Sequence, residues 1–228
     1  EITVKIISSL DEVSAAHCDA CAGIENPFIS HTFLKALEDS QAATGETGWL
    51  PQHIVIEDEK GLAGCAPCYL KNHSHGEYVF DWGWADAYER AGGQYYPKLQ
   101  VSVPFSPVTG PRLLVRDGDD KPHTRQLLAA GLLELAKQQK VSSLHITFPQ
   151  EDEWTELGEM GLLQRHGQQF HWQNDGYETF DDFLDTLNSR KRKMIRKERA
   201  AANAAVDIQV LTGDDIRPER EREKPRRG

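Results

Sequence analysis

PRLLVRDGDDKPHTRQLLAAGLLELAKQQKVSSLHITF, residues Pro111–Phe148, contains the pattern that decides the fold class. Its two ends, residues 111–116 and 142–148, are short apolar runs of the kind that forms strands. Between them, Arg125–Gln139 repeats leucine and alanine at helical spacing, which predicts an amphipathic helix. A strand, a helix and a second strand in this order predict a crossover that returns the chain to a sheet flanked by helices.

The residues before this segment predict helices first and then a strand meander. A strand (ITVKII) opens the chain, a helix is expected from Leu10 to about Ala22, and Ser30 is the predicted N-cap of the next helix. PQHIVIED and GLAGCAPCYLK read as two strands, and LQVSVPF as another after an aromatic-rich segment. The order predicts a mixed α+β fold.

The residues after the crossover predict the end of one unit and the start of another. A short helix at residues 152–159 and a last strand, LLQRHGQQFHWQN, complete a unit that spans residues 1–176. Residues 177–213 predict two helices and a strand (AVDIQVLTG), the first helix opened by a capping box at residues 179–182. The charged, proline-containing residues 214–228 predict a disordered tail.

Composition excludes several classes of protein. The 228 residues are 39% apolar with five tryptophans, which predicts a folded core. The net charge of −10 disfavours binding to nucleic acid over the whole surface, and no DNA-binding module is present. No window approaches the roughly 20 apolar residues of a membrane span, and the N-terminus lacks a signal-peptide pattern, so the expected location is cytoplasmic. The oligomeric state stays open.

The four cysteines form two CxxC pairs, Cys18/Cys21 and Cys65/Cys68. The gap between the pairs exceeds the usual zinc-site spacing of about 15–20 residues. The second pair also lies in a predicted strand, where positions i and i+3 point to opposite faces unless Pro67 breaks the strand. We therefore expect buried thiols and no metal site.

The segment SRKRKMIRKER, residues 189–199, carries seven basic residues and one acid. At 100° per residue, Met194 and Ile195 share a side that should pack on the protein, and Lys191 falls in the middle of that side. Arg192, Arg196 and Arg199 form a row on the opposite side. Such a row suits phosphate or carboxylate, because guanidinium groups make bidentate contacts; solvated surface charge is the alternative.

Other candidate residues flank or occupy the aromatic segment. Asp81 lies among tryptophans and tyrosines, where a carboxylate can act as a general base, although an aromatic core with polar edges would look the same. His171 is the second candidate for proton transfer. Lys71, Lys98 and Arg112 are candidates for contact with an anionic substrate.

Several long runs in this sequence resemble the FemAB-like family of bacteria, which is described as N-acyltransferases of the GNAT superfamily linked to peptidoglycan biosynthesis or recognition. The runs occur in the same order from Asn26 to about Gly213: NPFISHTFLKALEDS, TGWLPQH, CYLKNHSHGEYVFDWGWADAYER, YYPKLQVSVPFSPVTGPRLL, QFHWQN and SRKRKMIRKER.

The resemblance implies a GNAT-like fold with one complete unit and the start of a second. In the related Fem transferases, aminoacyl-tRNA donates an amino acid to a UDP-linked precursor whose phosphates contact basic residues. This implies an acyl or aminoacyl transfer to an amine of a phosphorylated cell-envelope precursor, with Arg192 and Arg196 near the phosphates; Lys191 is a further candidate for substrate contact. A non-catalytic module that binds the precursor or tRNA is the alternative.

The sequence departs from the family pattern in two places, which concern the identity of the acyl donor and the completeness of the second unit. An acetyl-CoA enzyme should show R/Q-x-x-G-x-G/A at the strand–helix turn, where backbone N–H groups hold pyrophosphate. The corresponding stretch, VRDGDDKPHTRQLLAAG, lacks that spacing and is acidic. The acyl donor is thus aminoacyl-tRNA or an acyl-CoA, with acetyl-CoA disfavoured. A complete second unit needs over a hundred further residues, so the sequence reads as a truncated member or a fragment.

Overall fold

The computed structural model describes residues 2–118, 120–208 and 210–212, and the predicted α+β fold is confirmed. The chain divides into two compact units, Glu1–Gly167 and Gln168–Gly228. The first unit contains, in chain order, β1 (Thr3–Ile7), α1 (Ala15–Ala22), α2 (His31–Asp39), β2 (Leu50–Pro51), β3 (His53–Asp58), β4 (Gly61–Ala66), β5 (Cys68–Lys71), α3 (Trp82–Arg90), β6 (Lys98–Val101), β7 (Leu114–Val115), α4 (Lys121–Gln138), β8 (Leu144–Ile146) and α5 (Glu151–Glu159).

The strands of the first unit form two four-stranded sheets. The first sheet has the order β1-β3-β4-β7 and is antiparallel throughout. The second has the order β2-β5-β6-β8, in which β8 runs parallel to β6 and the other pairs are antiparallel. The chain passes from one sheet to the other at Pro67, which separates β4 from β5 and has no N–H to continue a ladder. The predicted single strand GLAGCAPCYLK is therefore two strands in two sheets.

Helix α4 packs against both sheets and forms the larger core. Its Leu128 and Leu132 belong to one buried cluster with Ile54 of the first sheet and Leu99 of the second. Asp120 caps the helix by accepting a hydrogen bond from His123 N, so α4 begins four residues before the predicted Arg125. The helix that decided the fold class thus holds the two sheets together.

The second sheet has one apolar and one polar face because side chains alternate along each strand. Cys68, Leu99 and Val101 point into the core beneath α4. Cys65, on the other side of Pro67, belongs to a separate core with Cys18 of α1. All four thiols are buried, as expected, and the two cysteines of the second pair lie in different cores because they belong to different sheets.

Three predictions about secondary structure in the first unit need correction. Residues 162–174 form no strand, since none of them pairs with another strand in the described part of the chain and Leu163 is fully exposed. The helix expected from Leu10 to Ala22 is a short 3-10 turn, Leu10–Glu12, followed by α1. The aromatic segment, which carried no helix prediction, contains α3.

The second unit contains two helices, α6 (Phe180–Asp185) and α7 (Ser189–Ala204). The predicted capping box at Thr179 and Asp182 is present, and Asn188 caps α7. The strand expected over residues 205–213 does not form in 205–208 or 210–212, and the predicted disordered tail, 214–228, lies outside the described residues. Among the helices described in either unit, none has the length and apolar content to cross a membrane.

Candidate active site

The polar face of the second sheet brings together two of the predicted substrate-binding residues. Strand register places Lys71 of β5 directly opposite Lys98 of β6, and Tyr69 opposite Gln100. These four side chains are completely buried. His145 of β8 extends the face on the other side of Gln100. We use the name polar face for these five residues.

Residues 72–97, called here the covering segment, supply the partners of the Lys98 ammonium. Lys98 Nζ donates to Glu77 Oε2 at 2.8 Å, to Asp81 Oδ2 at 2.7 Å and to Ser74 Oγ at 3.0 Å. Asp81 Oδ2 also accepts a hydrogen bond from the Tyr95 hydroxyl at 2.7 Å. Both carboxylates are buried, so Lys98 ties the covering segment to the sheet through a desolvated ionic network.

The two carboxylates respond differently to this burial. Desolvation alone would raise the pKa of Asp81, but hydrogen bonds led by Lys98 outweigh it and lower that pKa to about 2. The pKa of Glu77 is raised, because burial there outweighs the attraction of Lys98. A carboxylate with a pKa of about 2 is a weak base at neutral pH. Asp81, predicted as a general base, is therefore better suited to hold Lys98.

Lys71 has no such partner. Its Nζ lies 3.5 Å from the centre of the Trp49 ring and donates one hydrogen bond, to the carbonyl oxygen of His75, at 3.3 Å. No carboxylate of the described residues lies within ion-pair distance. Burial lowers the pKa of Lys71 to about 7, with Glu77 opposing that shift and the charge of Lys98 adding to it. Both the amine and the ammonium form are thus accessible near neutral pH.

Six buried side-chain atoms around the polar face have no hydrogen-bond partner in the described structure. Buried polar groups are normally paired, so a cluster of exceptions marks a place where a ligand or water binds. Three are potential donors and three are acceptors: Trp49 Nε1, Tyr69 Oη and Ser102 Oγ, then Glu77 Oε1, Asp81 Oδ1 and Gln100 Oε1.

His145 is held as a neutral imidazole beside Lys98. Its Nδ1 lies 3.4 Å from Lys98 Nζ, and its Nε2 lies 3.0 Å from Ser143 Oγ. Burial, together with the charge of Lys98, lowers the pKa of His145 to about 4. The ring is therefore uncharged at neutral pH and can accept a hydrogen bond without adding charge to the face.

Arg112 is buried, but its guanidinium group donates its hydrogen bonds to backbone carbonyls. Its Nε donates to Thr147 O at 2.8 Å and its Nη1 to Gly110 O and Pro111 O, both at 3.1 Å; Nη2 donates to Val108 O. Arg112 thus braces residues 108–111 against the end of β8. The structure offers a structural role for this predicted substrate contact.

The remaining predicted site residues belong to the second unit. His171 is exposed, and its Nε2 lies 3.2 Å from Gln169 Oε1. Lys191, predicted to point inward, is exposed. Asp81 and His171, the two candidates for proton transfer, are therefore in different units.

The arginine row of α7 faces helix α6. Arg192 Nη1 donates to Asp185 at 2.7 Å, and Arg196 Nη2 donates to Asp181 at 2.9 Å. Arg199 lies over the ring of Phe180. The predicted orientation of α7 was therefore wrong: the acids and the phenylalanine of α6 attract the arginines, and Met194 stays half exposed.

The first turn of α4 is the place where an acyl-CoA pyrophosphate would be expected. Pro122 removes one backbone N–H there, and the Asp120 carboxylate already accepts from His123 N at 3.2 Å. The acidic Asp117 pairs with Lys121 at 2.8 Å. Pro122 thus offers no N–H and that of His123 is taken, while the carboxylates of Asp117 and Asp120 repel a pyrophosphate, so these described residues fit it poorly.

An open groove lies away from the polar face, between the end of α1 and residues 108–111. Its volume is about 540 Å³, and its walls include Asn26, Phe28, Thr109 and Gln150. Glu25 is the one ionisable side chain among the described residues that line it. We therefore place the candidate site at the polar face, where the titratable groups are.

Sequence reasoning missed four residues of the site: Trp49, Tyr69, Gln100 and Ser102. A signal for three of them was present, because CYLK and KLQVSV both alternate apolar with polar residues, which is the period of a strand with one polar face. Trp49 carries no such signal, since it meets the face only through the fold.

Acid should weaken the attachment of the covering segment through Asp81. Because the pKa of Asp81 is about 2 in the folded protein and near 3.8 unfolded, its stabilisation is present above about pH 4 and is lost as pH falls toward 2. Glu77, with its raised pKa, acts in the opposite direction at higher pH. The stability difference between wild type and Asp81→Asn should shrink by about 2 kcal/mol between pH 5 and pH 2.

Urea unfolding followed by tryptophan fluorescence at several pH values measures this difference. Tyr95→Phe removes one hydrogen bond from Asp81. The stability difference between wild type and Tyr95→Phe should therefore also shrink between pH 5 and pH 2, but by a smaller amount. Wild-type and Asp81→Asn stability curves that stay parallel down to pH 2 would contradict the assignment.

Comparisons with known proteins give one family match and several structural similarities. The profile of the FemAB-like family, described as peptidoglycan biosynthesis/recognition, matches residues 9–223, a longer stretch than the resemblance from Asn26 to about Gly213. No curated protein sequence matches the chain.

Solved structures with folds similar to that of this chain include three acetyltransferases. An acetyltransferase from Trypanosoma brucei shares 12% identity over 76% of this chain and 100% of its own, with a TM-score of 0.46. Ribosomal-protein-alanine N-acetyltransferase from Brucella melitensis biovar Abortus shares 13% identity over 76% and 99%, with a TM-score of 0.45. Glucosamine-6-phosphate N-acetyltransferase from Arabidopsis thaliana shares 7% identity over 76% and 99%, with a TM-score of 0.45.

Proposed function

Because the chain belongs to the FemAB-like family of peptidoglycan biosynthesis and recognition, we propose that it transfers an acyl or aminoacyl group to a primary amine of an anionic cell-envelope precursor. The observation that carries the proposal is the cluster of six unpaired buried polar atoms on and around the polar face. Acyl transfer to an amine needs acceptors for the amine hydrogens and donors for the developing oxyanion. The face provides three atoms of each kind.

The acceptors and donors are separated in a way that suits two substrates. The acceptors Glu77 Oε1 and Asp81 Oδ1 lie around Lys98, where an ammonium group would be attracted. The donors Trp49 Nε1 and Tyr69 Oη belong to rings 5.4 Å apart, next to Lys71. The amine therefore binds near the carboxylates, and the acyl carbonyl binds near the indole and the phenol.

The acyl donor is an aminoacyl-tRNA ester in this proposal. Among the described residues of the first turn of α4, Pro122 has no N–H and that of His123 is taken by Asp120, which favours an ester donor other than acyl-CoA. With tRNA as donor, the reaction takes place in the cytoplasm.

The phosphates of the precursor or of tRNA bind to helix α7. Arg192 and Arg196 already pair with the acids of α6, but Arg190, Lys193 and Lys197 fall on one exposed stripe at i, i+3 and i+7. A stripe of this kind attracts phosphate through charge.

Recognition without catalysis is a second candidate function, favoured by one observation. Lys71, Lys98 and Asp81 are fully buried, so a substrate reaches them only if the covering segment moves. A protein in which that movement does not occur would bind the precursor at its surface and leave it unchanged.

Mass spectrometry of the precursor after incubation distinguishes these functions. A UDP-linked muropeptide with a free amine is incubated with the protein and with either aminoacyl-tRNA or acetyl-CoA. We expect a mass increase of one aminoacyl residue with aminoacyl-tRNA alone. A gain of one acetyl group, with no aminoacyl product, would overturn the assignment of the donor.

Thermal-shift measurements with the muropeptide complete the test. A shift of the melting temperature without any mass increase, with both donors, would establish recognition and rule out transfer under the conditions used. Heat-denatured protein is the control for uncatalysed aminoacylation of the precursor by the reactive ester.

A further inference from the structure

Two lysines lie side by side on the polar face with different partners. Lys71 and Lys98 are opposite each other on antiparallel strands. Lys98 binds both buried carboxylates of the covering segment. Lys71 instead contacts the face of the Trp49 ring and donates a hydrogen bond to the carbonyl oxygen of His75. One oxygen of each carboxylate is paired with Lys98, and Lys71 is left without a carboxylate partner among the described residues.

The groups that face Lys71 come from three directions. Trp49 lies beneath its Nζ, Lys98 comes from the neighbouring strand, and Glu77 comes from the covering segment together with His73 and His75. Burial and the neighbouring cation favour the neutral amine, and Glu77 favours the ammonium. The indole ring also attracts an ammonium group. Lys71 can therefore lose a proton and hold one again in the same position.

The charge of the face fits this role. With Lys71 neutral and both carboxylates ionised, the Lys98 cation and the two carboxylates sum to one negative charge, which one incoming ammonium group would neutralise. A primary amine is protonated at neutral pH and cannot attack a carbonyl until a base removes a proton from it. His145 and Asp81 are weaker bases than Lys71, because the pKa of each is lowered, to about 4 and about 2.

We propose that Lys71 is the catalytic base that takes the proton from the acceptor amine. The inference rests on the transfer function proposed above. The lone pair of Lys71 Nζ accepts a proton from the acceptor R–NH₃⁺, and R–NH₂ attacks the ester carbonyl. The new C–N bond forms and the ester C–O bond breaks. The second amine proton moves to the leaving hydroxyl oxygen, and Lys71 releases its proton to solvent after the product leaves.

The protonation state of Lys71 can be measured without turnover. Nitrogen-15 NMR of protein labelled at lysine Nζ, with the signal assigned by comparison with Lys71→Met, reports amine or ammonium directly. We expect Lys71 to lose its proton near pH 7 and to regain it when the UDP-linked muropeptide is added at pH 8. A Lys71 that stays an ammonium group through pH 9 overturns the proposal.

The second experiment measures the transferase activity of Lys71 variants. Lys71→Met keeps the length and packing of the side chain beside Trp49 and should fold, which circular dichroism checks. We expect kcat/KM to fall by about 10²–10⁴-fold. In Lys71→Ala, which leaves space for a small amine, added ethylamine should restore part of the activity. Lys71→Arg, which stays charged, should lose the same activity without recovery. Full activity in Lys71→Met overturns the proposal.

The two arms also separate the failure of this inference from the failure of the proposed function. Absence of turnover in the wild-type protein with every donor refutes the transfer function. In that case proton uptake by Lys71 on addition of the muropeptide still decides whether this lysine is the group that deprotonates a bound amine. Turnover in wild type together with a permanently charged Lys71 refutes the inference alone.

Discussion

Replacing Lys98 by methionine is expected to lower the free energy of unfolding by about 3–5 kcal/mol, because it leaves two buried carboxylates without their counter-ion. Glu77 and Asp81 bind the Lys98 ammonium at 2.8 and 2.7 Å, and none of the three side chains reaches solvent. Methionine fills a similar volume, so the loss reports the charge and not a cavity. The covering segment should detach first, since Lys98 is what attaches its acids to the sheet.

Urea unfolding at pH 7 measures this loss, with Lys5→Met as the matched control. Lys5 pairs with Glu57 on the exposed part of the first sheet, where an ion pair contributes at most about 1 kcal/mol. The triple variant Lys98→Met, Glu77→Gln, Asp81→Asn removes the unpaired charges and should recover part of the stability. Equal losses in Lys98→Met and Lys5→Met would contradict the buried network.

Arg112→Met is the second variant with a large expected effect. The guanidinium group donates to four backbone carbonyls, and each charged hydrogen bond that is lost with its partner left buried costs roughly 1.5–3 kcal/mol. Because the carbonyls partly rearrange or bind water, we expect a total loss of at least about 3 kcal/mol. Thermal unfolding measures the loss.

The outcome for Arg112 separates a structural role from a substrate-binding role. Arg90→Met, at the exposed end of α3, is the control for removal of one arginine. If Arg112 served only to bind an anionic substrate, Arg112→Met would unfold at the wild-type temperature and lose affinity for the muropeptide. A stability loss with an unchanged dissociation constant supports the bracing of residues 108–111.

The fold was predictable where the signal is local. The leucine and alanine repeat of residues 125–139 specifies α4 by itself, because a helix is set by side chains three and four residues apart. The strands on either side of α4 were also predictable, because each is a short apolar run. The division into two sheets at Pro67 depends on how β5 pairs with β6, which is a long-range event. One sequence gives little information about such pairings.

The candidate site was predictable in its charged residues and not in their partners. Lys71 and Lys98 were singled out because they flank an aromatic segment in an acidic chain. The contact of Lys71 with Trp49 joins residues that are 22 positions apart, and it follows from tertiary packing alone. The orientation of α7 was mispredicted for a related reason, since its few apolar residues are a weaker determinant than the acids of α6.

The buried charges around Lys98 come from a short part of the chain. Lys71 ends β5, Lys98 begins β6, and Glu77 and Asp81 lie in the connection between them, so the ionic network has low contact order. Its residues can meet as soon as β5 and β6 pair, before the distant ends of the first unit come together. Residues 71–98 thus encode these charges as one contiguous block, whereas Trp49 and His145 join them from distant parts of the chain.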